Sequence, residues 1–231
     1  MLCSTVRQIL VNTEEKYGPE DAIRYKVSKN EIASKTYSQL REDSESFSRV
    51  LQDLGEQGKH IAVIGMTSYA WLVAYFGTVN SGSVVVPLDV NLPAEDVCDL
   101  IARSDSTVLV YDEMRKDVAA MAKEHCPQLK TLISMQQQEH DDHACGFWKL
   151  LEEHRGSFDY TPDPDQLCTI MFTSGTTGKS RHADPQKCGG KRHLPGYEDP
   201  GAYCDHDSAS YPSCLLPQHG YPERSVFGSG N

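Results

Sequence analysis

Five short apolar runs, at residues 60–65, 84–88, 107–111, 131–135 and 167–172, constrain this chain more than any other feature. They are rich in Val, Ile, Leu and Thr, too short to be helices and too continuously apolar to be strands with one wet face. Each reads as a strand covered on both sides. Helical patterns lie between them. Trp71, Leu72, Tyr75, Phe76 and Val79 fall on one such pattern, with Thr67 or Ser68 placed to cap it and Asn80-Ser81-Gly82 to end it. Further helices are predicted over 95–102 and 114–123. Strand and helix in alternation define an α/β class, with a layered, mostly parallel sheet and flanking helices. No fixed-period repeat interrupts it.

The opening of the chain has its own pattern. Val6, Ile9, Leu10 and Thr13 fall at helical spacing before Gly18-Pro19. Residues 22–27 alternate as a half-buried strand, and 32–37 can pair with them as a hairpin. Tyr37, Leu40, Ser44, Phe47, Leu51 and Leu54 then mark the core face of a long helix that ends at Gly55. Phe147, Leu150 and Leu151 mark a shorter helix, and residues 159–164 lead into the last apolar run.

Composition narrows the function classes. With 231 residues the chain can bury a core as one large domain or two small ones. A net charge of −11 argues against a nucleic-acid or anionic-membrane binder, which carries a basic face. It does not argue against phosphate binding, which uses local amides and one or two cations. No run has bilayer-spanning length, and the N-terminus lacks the charged and apolar regions of a signal peptide. The eight cysteines are irregularly spaced, without a Cys-x-x-Cys pair. Reduced thiols and a cytoplasmic location are therefore expected. His140, Asp141, Asp142 and His143 are adjacent potential ligands without metal-site spacing, and read as a solvated loop. No metal is assigned to the chain's own side chains.

The run 167–172 opens into Thr173, Ser174, Gly175, Thr176, Thr177, Gly178 and Lys179. Two glycines leave backbone N–H groups uncovered, four hydroxyls add short donors, and the lysine adds a mobile positive charge. A strand ending this way is built to hold phosphate. A Walker loop requires a glycine at the position held by Thr173, and no Gly-x-Gly-x-x-Gly follows any of the strands, so neither of those phosphate motifs applies.

Three stretches resemble the AMP-forming, adenylate-forming enzymes: acyl-CoA synthetases, luciferases and peptide-synthetase adenylation domains. They are the segment 66–89, the turn that begins Asn91-Leu92-Pro93, and the loop 173–179. The likeness covers residues 1–180, and within the family 17–54 look most like a long-chain acyl-CoA ligase. It implies the N-terminal part of an adenylation domain. It implies ATP, Mg2+ and coenzyme A as cofactors, a small carboxylic acid (a fatty acid in particular) as substrate, and no nucleic-acid partner. In this chemistry a carboxylate attacks the α-phosphorus of ATP, pyrophosphate leaves, and a thiol then takes the acyl group. Lys179 would meet the terminal phosphate, with Thr173, Ser174, Thr176 and Thr177 as donors. The resemblance leaves oligomeric state open.

After Ser180 the family pattern stops. Residues 181–231 hold six of the twelve prolines and seven of the seventeen glycines, with no Ile or Met and a single Val, so this tail is expected to be mostly disordered. Cys188, His193, Cys204, His206, Cys214 and His219 lack the paired spacing of a zinc site. Reading the codons of 182–189 one nucleotide later permits Met-Leu-Thr-His-Lys-Asn-Val, which resembles the family's continuation. An out-of-frame tail is thus expected; the same exercise over 213–221 gives no family phrase. No Tyr-Gly-x-Thr-Glu adenine motif, ribose-binding aspartate or catalytic-lysine subdomain follows. A truncated, catalytically inactive chain is expected, either a non-catalytic nucleotide-binding remnant or a fragment that binds a partner through its open sheet edge. The gene's nucleotide sequence around codons 179–182 tests the frame: a shifted frame with early stops ends that reading.

Overall fold

The computed structural model describes residues 5–28, 31–173 and 182–187. Helix α1 (Val6–Tyr17) starts where the Gln8 amide donates to the Thr5 hydroxyl at 3.2 Å. Strands β1 (Asp21–Ser28) and β2 (Glu31–Thr36) form a separate antiparallel hairpin. Helix α2 (Tyr37–Asp53) opens with a reciprocal box in which Thr36 and Gln39 each accept the other's amide. There follow β3 (His60–Ile64), α3 (Tyr69–Asn80), β4 (Val84–Leu88), α4 (Ala94–Arg103) and β5 (Ser106–Tyr111). A 3-10 turn at Glu113–Arg115 leads into α5 (Lys116–His125), then β6 (Thr131–Ser134), β7 (Cys145–Gly146), α6 (Phe147–Glu153), β8 (Leu167–Thr173) and β9 (His182–Lys187).

The main sheet runs β7-β6-β5-β3-β4-β8-β9, parallel throughout except for the antiparallel pair β8–β9. Side chains alternate across it. Ile61, Val63, Val85, Val108 and Val110 face a core shared with α1, α2, α3 and α6. Ala62, Ile64, Val86, Leu88, Leu109 and Tyr111 face a second core shared with α4 and α5. Two covered faces are why these runs are apolar at every position rather than at every second one.

Helices α2 and α3 cross in backbone contact. The Ser48 hydroxyl donates to the Gly77 carbonyl at 2.8 Å, and a Cβ at Gly77 would lie 2.7 Å from both the Ser44 carbonyl oxygen and the Phe47 Cβ.

Several sequence expectations change in detail. Leu54 does not join the core face of α2: it lies just past the helix end and is 37% exposed. Ser68, not Thr67, caps α3 by accepting the Trp71 amide. The helix expected over 114–123 starts later, because the Asp112 side chain captures the Met114 amide and sets a 3-10 turn first. Strand β7, only two residues long, has no pattern from which to read it. In the tail, 182–187 pair with β8 although their sequence carries no strand period. Ladder bonds come from the backbone, and Pro185 is tolerated because β9 ends the sheet. The expected boundary at 180 and the rest of the tail, with its cysteines and histidines, lie outside the described residues.

Gly77→Ala is expected to destabilise the fold by about 1–3 kcal/mol, since overpacking against backbone outweighs the gain of about 1 kcal/mol in helix propensity. The urea midpoint measures it; an unchanged or raised midpoint contradicts the tight α2–α3 crossing.

Candidate functional site

The carboxyl ends of β3, β4, β5, β6 and β8 all lie along one edge of the sheet, because these strands are parallel. The sequence-assigned loop begins there. Thr173 is the last residue of β8 and is register-paired with His182, the first residue of β9. In sequence, residues 174–181 connect these two strands, which are hydrogen-bonded side by side. Ser174, Gly175, Thr176, Thr177, Gly178 and Lys179 themselves lie outside the described residues.

What the structure describes is how β8 is delivered to that edge. Arg7 donates to the Asn80 side chain at the end of α3 and to the Phe158 carbonyl, each at 2.7 Å, which fastens the approach segment. Tyr160 lies against Gly82, where a Cβ would come within 2.5 Å of its ring and φ is +78°. Gln166 donates to the Gly82 carbonyl and accepts from the Tyr160 hydroxyl at 3.3 Å. Within β8, the Thr169 hydroxyl is 2% exposed and shares a 3.1 Å hydrogen bond with the Tyr75 hydroxyl of α3. The strand under the loop is thus tied to α3 by side chains as well as to β4 by its backbone.

A second feature of the same edge follows from strand order. From β3 the chain goes to β4 on one side, then crosses back to β5 on the other. Open parallel sheets form ligand crevices at such a reversal, outside the carboxyl ends of the two strands. Here the β3 and β5 exits are joined by Asp112, which is 5% exposed. Its carboxylate accepts the Met66 amide at 3.1 Å and the Met114 amide at 2.7 Å. Gly65 makes this approach possible, since a Cβ there would lie 2.6 Å from the Asp112 Cβ. Arg115 extends the same corner by donating to the Val90 carbonyl after β4, and it pairs with Asp117, holding that carboxyl below the usual carboxylate range. Met66 and Met114 stand out from these loops, 55% and 73% exposed.

Sequence reasoning missed Gly65, Asp112 and Arg115. An aspartate following an apolar run and preceding a helical pattern was the available signal for a cap, but its partner at Met66 depends on β5 lying beside β3.

The polar insertion behaves as a loop with its own internal anchors. Asp141 accepts the amides of His143 and Ala144 at 2.7 Å, which holds its carboxyl below the usual range, and His140 contacts Glu153. Among the described residues no group of three or more His, Cys, Asp or Glu is placed to hold a metal, and no helix is long and apolar enough to cross a membrane.

With fold and edge described, kinship becomes clear. Residues 12–181 match the AMP-binding enzyme family, and the chain belongs to it. It is 29% identical over 168 residues to an indenyl-propanoyl:CoA ligase of Rhodococcus jostii, a match covering 63% of this chain and 31% of that one. It is 28% identical over 165 residues to long-chain-fatty-acid–CoA ligase 5 of Rattus norvegicus, covering 64% of this chain and 24% of the relative. The fold superposes on the anthranilate CoA ligase AuaEII, solved with anthranoyl-AMP, with a TM-score of 0.71 at 16% identity over 81% of this chain and 35% of that one. The matches thus span between 24% and 35% of the length of these proteins.

Replacing Asp112 by Ala is expected to cost about 1–3 kcal/mol, because it leaves two loop amides without their acceptor. Amide exchange at Met66 and Met114 should accelerate before that of β3 or β5; equal protection in the variant refutes the anchoring role.

Proposed function

We propose that this chain supplies the phosphate-holding part of an acid–CoA ligase that works through an acyl-adenylate. What carries the reading is that Thr173, the first residue of the loop sequence 173–179, ends β8 on the carboxyl edge of a parallel sheet, in a chain of the AMP-binding enzyme family. Thr173, Ser174, Thr176 and Thr177 donate to the β and γ phosphates of ATP, the amides at Gly175 and Gly178 approach them closely, and Lys179 meets the terminal phosphate. Mg2+, when bound with ATP, would neutralise the charge that builds on the phosphates as pyrophosphate departs and the acid carboxylate takes the α-phosphorus. Coenzyme A is the acyl acceptor. The acid is a fatty acid; similarity to a long-chain-fatty-acid–CoA ligase supports that choice.

A second reading has its own observation. Residues 181–231 depart from the composition of the family-like part, with six of the twelve prolines, seven of the seventeen glycines and no Ile or Met. On that reading the chain binds nucleotide phosphates without activating an acid.

Equilibrium dialysis with labelled ATP and Mg2+ tests what both readings share. Lys179→Ala should weaken binding about 10- to 100-fold, the value of one charge-assisted contact to phosphate. Unchanged affinity removes Lys179 from the site. Acid-dependent exchange of pyrophosphate into ATP then separates the two: exchange supports the ligase reading, and binding without exchange supports the second.

A further inference from the structure

The far side of the sheet holds a feature unrelated to nucleotide binding. Helices α4 and α5 border an open cavity of about 250 Å3 lined by Glu95, Cys98, Asp99, Ala102, Met121 and His125. Glu95, Asp99, Ala102 and His125 are exposed and form its rim, whereas Cys98 is only 5% exposed. Behind it stands Cys126, the residue that ends α5, 1% exposed. The Cys126 thiol donates to the Cys98 carbonyl at 3.5 Å, which sets the two residues side by side. Both are free and belong to the core on the α4–α5 face. Cys145 and Cys168, the other cysteines among the described residues, belong to the core on the opposite face. Among the described residues the sheet therefore sets Cys98 and Cys126 apart as a pair.

We propose that Cys98 and Cys126 are an oxidisable dithiol, converted to a disulfide by a small peroxide that enters the α4–α5 cavity. The Cys98 thiolate attacks one peroxide oxygen, the O–O bond breaks, and the chain carries a sulfenic acid while the first water leaves. The Cys126 sulfur then attacks the Cys98 sulfur, the S–O bond breaks, and the second water leaves. Two thiols and one peroxide give one disulfide and two waters. The environment makes this slow. Burial, followed by the neighbouring Cys126, Asp99 and Asp117, pushes the Cys98 thiol up to about 11, and burial also raises Cys126. Little thiolate is present near neutrality, so the pair responds to sustained oxidant and not to a brief pulse. The product ties α4 to the end of α5.

Peptide mapping of the whole chain tests this. The folded protein is treated with hydrogen peroxide, remaining thiols are alkylated in denaturant, and a parallel sample is oxidised while unfolded. The expected result is a Cys98–Cys126 peptide as the dominant cross-link containing Cys98, with a mass loss of about 2 Da that reductant reverses. In the unfolded sample the same pairing should fall to its chance share among the eight cysteines. The proposal is overturned if Cys98 and Cys126 are recovered as free thiols, if Cys98 goes to sulfinic acid with Cys126 free, or if the unfolded chain gives the cross-link equally.

Discussion

Burial of β3, β4 and β5 on both faces is the constraint on which the rest of this structure depends. Ile61, Ala62, Val63 and Ile64 are fully buried in sequence, as are Val108, Leu109 and Val110. Full burial of each Val, Leu or Ile side chain contributes about 1.5–3 kcal/mol, so neither helical layer can be lost without exposing a large share of the driving force. Parallel pairing requires crossovers, and the crossovers are the helices that cover the sheet. Covering and connection are thus one requirement.

That requirement also sets where chemistry can sit. Because consecutive strands point the same way, every strand-to-helix turn of the main sheet emerges along a single edge. At this edge the fold is held by polar contacts: Asp112 across β3 and β5, Arg115 to Val90, and Tyr75 to Thr169 under the loop. These are the places where backbone turns must keep fixed positions without a core above them. Thr173 takes its position from β8, and β8 takes its position from α3 and the 158–166 segment.

Much of this was legible in the sequence, for a physical reason. A strand buried on both sides leaves an uninterrupted apolar run, and a helix capped by Ser68 or Thr36 leaves a short polar residue before a periodic stretch. The α/β class followed from such local marks, and the family from the resemblance carried by 66–89, the turn from Asn91 and 173–179. Strand order did not, since a crossover can carry the chain to either side of β3 with the same local sequence. The corner built by Gly65, Asp112 and Arg115 depends on that choice, which is why three ordinary residue types gave no sign of acting together. Leu54 failed for a related reason: helical periodicity extends a core face past the point where the helix ends. β7 and β9 are fixed by their neighbours' backbones and leave no side-chain pattern at all.

The central claim is that nucleotide binds at the β8 end of the sheet's carboxyl edge. Hydrogen–deuterium exchange of the whole chain with and without ATP and Mg2+ tests it most directly. Binding there slows exchange in peptides covering 167–187 and leaves the β1–β2 hairpin at 21–36 unchanged. Slowed exchange at the hairpin alone, or no change across 167–187 at saturating nucleotide, would contradict it.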